Sequence, residues 1–295
     1  MLDVRRLRLL RDLAHLGTIA AVARAHSYSP SAVSQQLAAL QREAGVPLLE
    51  HTGRGVRLTA AGTALVEHAE TVLAALEAAD ATLAVARTGL SGVVRIGAFP
   101  SAMRTLLPLA LVALAGEHPA LNLMVTELDP ADMPTALREA NLDVALLHDY
   151  DTVPVPPDPA LDSVPLLDEP VFLAAGAGFQ GDDPIAASRD ADWIAGTPGT
   201  LCHAVTLRAC EAAGFTPRIR HHTDDFTAVL ALVAASQGVS VVPRLGAAHA
   251  PEGVVLLPLA TRRRTRVAYR RGAGAHPAIV ACVTALRGVT AAVDA

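Results

Sequence analysis

Apolar residues recur at helical spacing over the first part of the chain and predict three short helices that share one core. The best defined helix follows Ser29, a suitable N-cap, has Pro30 in its first position, and ends at Gly45. Its apolar stripe runs at steps of four, three and four residues: Val33, Leu37, Leu40 and Ala44. The helix before it has Thr18 as its cap and one side formed by Ile19, Val22, Ala23 and His26. The first helix adds Leu7, Leu10, Leu13 and Ala14, which completes the core of a small domain.

The outward face of the third helix carries small or amide side chains, namely Ser31, Ser34, Gln35 and Ala38. Glutamine can pair with adenine through two hydrogen bonds, and serine hydroxyls can contact bases or phosphates. After this helix, Arg54 lies at a hairpin tip between Gly53 and Gly55, from which it could enter a narrow minor groove. The alternative is a turn arginine that faces water. The pattern as a whole favours DNA recognition.

A heptad pattern follows the hairpin and predicts a long helix that is capped by Thr59. Its apolar seam alternates steps of four and three: Leu65, Ala69, Val72, Leu76, Ala79, Leu83 and Ala86. A helix of about 28 residues is roughly 40 Å long and could separate two DNA-binding heads. The seam favours self-association, and the alternative is packing on the second domain of the same chain.

The remainder of the chain alternates between apolar strands and helices, which predicts a parallel sheet with helices on both faces. The first strands are expected at 93–98, 121–126 and 143–147, with helices at 103–117 and 132–140. A proline-rich run at 153–159 separates them from a second group. That group has strands at 171–175, 193–195 and 239–242 and helices at 201–213 and 226–237. A final helix at 276–287 is expected to return to the first group.

The segment SYSPSAVSQQLAALQREAGVPLLEHTGRGVRLTAAG resembles the DNA-binding part of LysR-type transcriptional regulators, and the coarser organisation extends the resemblance over the whole length. The resemblance implies an all-α winged helix-turn-helix at 1–59, with the motif at about 18–38, and a dimerisation linker helix at 60–90. It also implies an α/β effector-binding domain at 91–295, with two lobes like those of periplasmic binding proteins. Lobe I would cover about 91–162 and 265–295, and lobe II about 163–264.

The resemblance also assigns roles to individual residues. It implies base and phosphate contacts for Pro30, Ser31, Ser34 and Gln35, and with Ser29 and Arg54 these residues are the predicted DNA contacts. Two positions depart from the usual family pattern, since His51 replaces a common arginine before the wing and His26 replaces a common leucine. The first change weakens a phosphate contact, and the second is interpreted as structural, with a pH sensor as the alternative.

The effector is expected beyond the carboxyl ends of the strands, where helix N-termini aim free amides at an anion. Ser101 opens one such helix, and Thr200 and Cys202 open another. His148, after the third strand, and Thr223 are weaker candidates. Ser101 and Thr200 could instead be plain N-caps, and His148 could cap a strand end. A small carboxylate is the expected effector, although a protein without any effector remains an alternative.

Charge is divided unequally between the two parts of the chain. Residues 1–58 hold eight arginines against four acidic residues, a net charge of +4, whereas the remainder has sixteen against twenty-five, a net charge of −9. A basic head on an acidic body fits phosphate binding by the head and predicts DNA affinity that falls with salt. The expected partners are double-stranded DNA, a small-molecule effector, further copies of the chain as a dimer or tetramer, and RNA polymerase.

Three cysteines, Cys202, Cys210 and Cys282, fit a reducing compartment better than a disulfide framework. A redox pair of Cys202 and Cys210 is disfavoured, since eight residues of helix separate them by about 12 Å. Neither a signal peptide nor a membrane segment is expected, which predicts a cytoplasmic protein. Enzyme motifs are missing, so no catalytic residue, metal or cofactor is predicted. Two other functions stay open: a constitutive repressor, and an enzymatic α/β module with an attached head.

Overall fold

The computed structural model describes residues 1–53, 55–86 and 89–294, and its N-terminal head contains three helices and a hairpin. These elements are α1 (Val4–Leu16), α2 (Ile19–Ala25), α3 (Pro30–Ala44), β1 (Leu49–Thr52) and β2 (Gly55–Leu58). Local caps define the helix boundaries: the hydroxyls of Thr18 and Ser29 accept the amides of Ala21 and Ala32, respectively. Gly45 ends α3 with a φ of 70°. The boundaries predicted for α3 are therefore confirmed, and its apolar stripe packs into the core of the head.

A single long helix, α4 (Ala60–Val85), joins the head to the body, and the Thr59 hydroxyl caps it by accepting the Gly62 amide. Near its start, Leu65 and Ala69 pack into the core of the head. Further along, one face is buried against the chain's own body, where a β-carbon on Gly272 would lie 2.1 Å from the Ala74 carbonyl oxygen. On that face α4 therefore packs on the body of its own chain, which was the alternative to packing against a second copy.

The rest of the predicted seam of α4 points away from the chain. Val72, Leu76 and Leu83 are 39%, 46% and 62% exposed. The helix thus has two separate apolar faces, because the residues buried against the chain's own body, such as Leu73 and Ala81, lie on another side.

The body contains a six-stranded sheet whose strands run in both directions, so the expectation of a parallel sheet is confirmed for the first three predicted strands and wrong for the other strands of this sheet. Its order is β4-β3-β5-β10-β6-β9. The strands are β3 (Gly92–Ala98), β4 (Leu121–Glu127), β5 (Val144–Tyr150), β6 (Leu161–Gly176), β9 (Ser240–Pro243) and β10 (Val254–Arg270). The strands β4, β3 and β5 are parallel, whereas β10 is antiparallel to β5 and β6, and β9 is antiparallel to β6. A separate parallel pair contains β7 (Asp192–Ala195) and β8 (Arg218–His222).

The helices of the body flank these strands. They are α5 (Pro100–Thr105), α6 (Leu107–Glu117), α7 (Met133–Arg138), α8 (Pro184–Ala187), α9 (Leu201–Ala212), α10 (Phe226–Ala234) and α11 (Pro277–Asp294), with a 3-10 turn at Ala273–Ala275. The helix predicted at 103–117 is two helices that meet at Leu106. The final helix packs on the core of the first strands through Ile279, Cys282 and Leu286, as expected. Within the described ranges, no helix has the length and apolar character needed to cross a membrane.

Candidate DNA-binding surface and effector site

The first turns of α3 form an exposed polar surface on the head. Ser31, Ser34 and Gln35 are all exposed, and Pro30 lies beside them. The Ser29 hydroxyl caps α3 and lies 2.9 Å from the Ser31 hydroxyl, so both hydroxyls are held at the start of the helix. The predicted contact residues of α3 therefore occupy one continuous surface that a duplex could approach.

The hairpin of β1 and β2 stands next to this surface. A groove between the start of α2, the start of α3 and the hairpin is lined in part by Thr18, Pro30 and His51. The hairpin is antiparallel, and an ion pair of 2.6 Å joins Glu50 to Arg57 across it. The predicted minor-groove contact Arg54 lies outside the described residues.

A buried polar network holds the head together and explains His26. Its Nε2 lies 2.6 Å from Oδ2 of Asp12, and Oδ1 of Asp12 accepts a hydrogen bond of 2.7 Å from Nε of Arg11. Burial alone would raise the pKa of Asp12, but the hydrogen bonds to His26 and Arg11, together with the charge of Arg11, lower it. His26 thus fastens the end of α2 to α1, which supports its structural interpretation.

The effector residues predicted in lobe II have mostly structural contacts. Thr200 caps α9 by accepting the His203 amide, and its hydroxyl donates to the Thr197 carbonyl over 2.8 Å. Thr223 accepts the Asp225 amide at 3.4 Å. The cap interpretation therefore describes Thr200 well.

The effector residues predicted in lobe I, Ser101 and His148, are buried. Ser101 is not the cap of α5, because Phe99 occupies that position; its hydroxyl accepts a hydrogen bond of 3.1 Å from Arg263 instead. His148 lies within β5 and does not cap the end of that strand. Sequence reasoning missed Arg263, which is fully buried and forms a 2.7 Å ion pair with the equally buried Glu169.

An aromatic shell surrounds this ion pair. The Arg263 guanidinium lies 4.9 Å from the centre of the Phe99 ring. The His148 ring packs edge-on against Phe99 at 4.6 Å and against Tyr150 at 5.7 Å. The Tyr150 hydroxyl lies 3.8 Å from Sγ of Cys202, which links the cluster to α9. The structure thus brings Ser101, His148 and Cys202 together, whereas Thr200 lies near Thr223, because its hydroxyl also donates to Oδ1 of Asp224 at 3.4 Å.

Burial controls the protonation of this cluster. It lowers the pKa of His148 well below the usual 6.5, and the Arg263 charge adds to the effect. Burial also raises the pKa of the Tyr150 hydroxyl well above 10.0 and that of the Cys202 thiol above 9.0. Near neutral pH the cluster therefore holds a neutral imidazole, a protonated phenol and a protonated thiol.

We expect the free energy of unfolding to fall as the pH drops below the ordinary histidine range. In that window His148 takes up a proton in the unfolded chain but not in the folded one, which favours unfolding by up to about 1.4 kcal/mol per pH unit. Urea titrations of wild type and His148→Leu between about pH 5 and 7 would measure the difference in slope. His249→Leu, which removes an exposed histidine, is the control, and equal slopes for wild type and His148→Leu would contradict the prediction.

Cys202 and Cys210 do not form an obvious redox pair. Both lie on the continuous helix α9, and burial raises the pKa of Cys210 to about 12. A disulfide between them would require α9 to unwind, as expected from their spacing. Across the part of the chain that the structure describes, no cluster of three or more histidine, cysteine or acidic side chains could hold a metal ion.

Comparisons with known proteins cover both parts of the chain. The family model described as "Bacterial regulatory helix-turn-helix protein, lysR family" matches residues 4–63. The model described as "LysR substrate binding domain" matches residues 87–291.

Individual relatives agree with these matches. The "Probable hydrogen peroxide-inducible genes activator" of Mycobacterium xenopi is 38% identical over 165 residues, which cover 56% of this chain and 82% of the relative. The "Transcriptional dual regulator GltC" of Bacillus subtilis is 25% identical over 265 residues, covering 88% of this chain and 86% of the relative.

Solved structures share the same fold. A structure of a C206 mutant of Corynebacterium glutamicum OxyR superimposes with a TM-score of 0.60 at 23% identity, covering 99% of this chain and 92% of the other. Full-length CbnR in complex with its target DNA superimposes with a TM-score of 0.54 at 26% identity, covering 98% and 99%.

Proposed function

Because the chain belongs to the LysR family of transcriptional regulators, we propose that its head reads promoter DNA through α3 and that its body binds an effector between the lobes. The observation that carries the first part is the exposed surface of Ser31, Ser34 and Gln35 on a firmly capped helix. Gln35 would contact a base, and Ser29, Pro30 and the serines would contact bases or phosphates. Arg54 at the wing tip is proposed to enter the minor groove.

Self-association is the next part of the proposal. The exposed seam of Val72, Leu76 and Leu83 would pack against a second copy, so that two heads meet two half-sites of one operator. Either a dimer or a tetramer of such dimers fits this arrangement. A regulator of this kind works in the cytoplasm, where it can meet both the chromosome and RNA polymerase.

Effector control is the last part. A small carboxylate bound near Ser101, His148 and Cys202 would change the closure of the lobes. Thr200 and Thr223 would line the outer part of the same cleft. The change would reach the heads through α4 and alter their spacing, and with it the bending of the DNA.

A nuclease footprint of the full-length protein on DNA upstream of its own gene, at several salt concentrations, tests the proposal. A bounded protected region with dyad symmetry is expected, and the protection should weaken as salt rises, because the head carries a net positive charge. Protection without boundaries would point to a nonspecific DNA binder. No protection at low salt would contradict the DNA-binding role.

Replacement of Gln35 by alanine should weaken binding to the operator by about 1–3 kcal/mol, because a two-bond contact with a base would be lost. Binding to random DNA should stay the same. Gln36→Ala is the matched control, since the neighbouring Gln36 side chain accepts a hydrogen bond of 2.9 Å from Arg6 and belongs to the head itself. Gel-shift titrations on both DNAs measure the effect, and an equal loss on random DNA would make Gln35 a phosphate contact.

A further inference from the structure

Four buried polar atoms on one face of the body sheet have no hydrogen-bond partner among the described residues. They are Nη1 of Arg263, both ring nitrogens of His148 and Oγ1 of Thr265. Strand register brings them together, because Arg263 pairs with Tyr150 and Thr265 pairs with His148 across β10 and β5. Directly opposite residues of antiparallel strands project to the same side. The four atoms therefore belong to one cluster.

The available protein groups cannot satisfy this cluster. Both oxygens of Glu169 are in use, because Oε1 accepts from Nε of Arg263 and Oε2 accepts the Leu245 amide at 2.7 Å. The Ser101 oxygen accepts from Nη2 of Arg263, so its own proton can be donated elsewhere. The donors that remain are Nη1 of Arg263, one ring nitrogen of His148 and the hydroxyls of Ser101 and Thr265, and they outnumber the single unpaired ring acceptor of His148.

We propose that Arg263 Nη1, with the hydroxyl of Thr265, binds the carboxylate of the effector, and that His148 takes up a proton when this carboxylate binds. The inference rests on the proposed function, because it specifies the chemistry of the proposed effector. It also places the main anion-binding group on a strand, in contrast to the helix starts favoured by the sequence pattern. A guanidinium is well suited to this task, since each of its N–H groups forms a strong charge-assisted bond with a carboxylate.

Charge balance explains why His148 would take up a proton when a carboxylate binds. Arg263 and Glu169 neutralise each other, so an entering carboxylate would add an uncompensated negative charge to a buried site. His148 can compensate that charge by accepting a proton from solvent on a free ring nitrogen, which gives an imidazolium beside the carboxylate. Arg263 is the charged group that acts on His148, and the Tyr150 ring packs against the His148 ring. Glu169 and Cys202 act on Tyr150 in turn. Asp129 and Asp224 act on Cys202 at the edge of the cluster.

The cluster is closed to solvent in this structure, because Ser101, His148, Tyr150, Arg263 and Thr265 are all buried and only Cys202 among its described neighbours is partly exposed. Outside it, an ion pair of 2.7 Å joins Arg104 on α5 to Asp225 at the start of α10. This pair connects the two sides of the cleft. Entry of a carboxylate would therefore require the lobes to separate, which connects the site to effector control.

Formate is a suitable probe, because it is the smallest carboxylate and stays ionised throughout the range needed. The melting temperature of the full-length protein would be compared in sodium formate and sodium chloride of equal ionic strength, between about pH 5.5 and 7.5. We expect formate to raise the melting temperature above that in chloride. The difference should grow as the pH falls, because binding consumes a proton.

Two variants and one control assign the effect to the cluster. Arg263→Lys keeps a positive charge beside Glu169 but lacks Nη1, and Thr265→Val removes the hydroxyl at nearly constant volume. Each should weaken the apparent affinity for formate about tenfold or more. Thr265→Val should also raise the melting temperature in chloride, because it removes a buried polar atom without a partner. Arg262→Lys alters the neighbouring exposed pair with Asp168 and should leave the formate effect unchanged.

The proposal is overturned if formate and chloride act alike on the wild type, or if Arg263→Lys and Thr265→Val keep the full formate effect. A formate effect that does not depend on pH would overturn the role of His148. The footprint is an independent experiment: a protected operator without any formate effect would leave the proposed function in place and remove this inference. A protein that shows an Arg263-dependent formate effect but protects no DNA would keep this inference and contradict the proposed function.

Discussion

Glu169→Ala is expected to lower the free energy of unfolding by about 3–5 kcal/mol, the usual consequence of removing one member of a buried ion pair. Glu169 and Arg263 are both fully buried, so the guanidinium would keep its charge without a counterion. The Leu245 amide, which donates to Oε2 of Glu169, would also lose its acceptor. The loss should be far larger than that caused by an exposed pair such as Arg262 with Asp168.

Urea denaturation followed by the fluorescence of Trp193 measures this effect, because this only tryptophan of the sequence is buried in the body. The double variant Glu169→Leu with Arg263→Met is the informative companion. Replacing both charges by apolar groups of similar size should restore most of the stability. A double variant as unstable as Glu169→Ala would mean that the ion pair itself, and not the unpaired charge, determines stability. A loss below about 1 kcal/mol in Glu169→Ala would contradict the prediction.

Leu76→Glu is expected to separate the proposed dimer and to weaken operator binding by about 10²–10⁴-fold. Leu76 lies in the middle of the exposed seam of α4, where a second copy would bury it, and a buried carboxylate would oppose that contact. The loss in affinity follows because two linked heads bind an operator far better than one head alone. Light scattering gives the mass of the particle, and a gel shift gives the affinity for the operator.

Ala78→Glu is the matched control for Leu76→Glu. Ala78 is also exposed on α4 but lies away from the seam, and glutamate is a good helix former at either position. The control should remain a dimer with wild-type affinity. If Leu76→Glu keeps the wild-type mass, the seam is not the dimer contact; if both variants become monomers, the seam is not the specific contact.

The head could be predicted from the sequence because its signals are local. Ser29, Pro30 and Gly45 define α3 through backbone hydrogen bonding and dihedral angles, which act within a few residues. The direction of the sheet could not be predicted in this way. The strand predicted at 171–175 is only the last part of β6, and β10 was not predicted, because prolines and charged residues interrupt the apolar pattern of both strands.

The proposed effector site shows the same limit at the level of single residues. Arg262, Arg263 and Arg264 are consecutive, and side chains alternate between the two faces of a strand, so only the register decides which arginine faces the core. The register places Arg263 opposite Glu169 on β6 and Tyr150 on β5. Ser101, His148 and Cys202 were accessible to sequence reasoning because they follow recognisable strands or open helices. Their role in binding an effector stays a prediction.

The close contact between Gly272 and Ala74 fixes the point at which α4 meets the body. Any side chain at position 272 would collide with the Ala74 carbonyl, so the body and α4 are in direct backbone contact at this point. The arm from Ala74 to the start of α4 at Ala60 is about 21 Å long at the standard helical rise. If α4 turned with the body about this contact, a rotation of roughly 10° would move the start of α4 by about 3.7 Å, close to the rise of one base pair. A small rotation in the body could in this way move a head by about one base pair along the DNA.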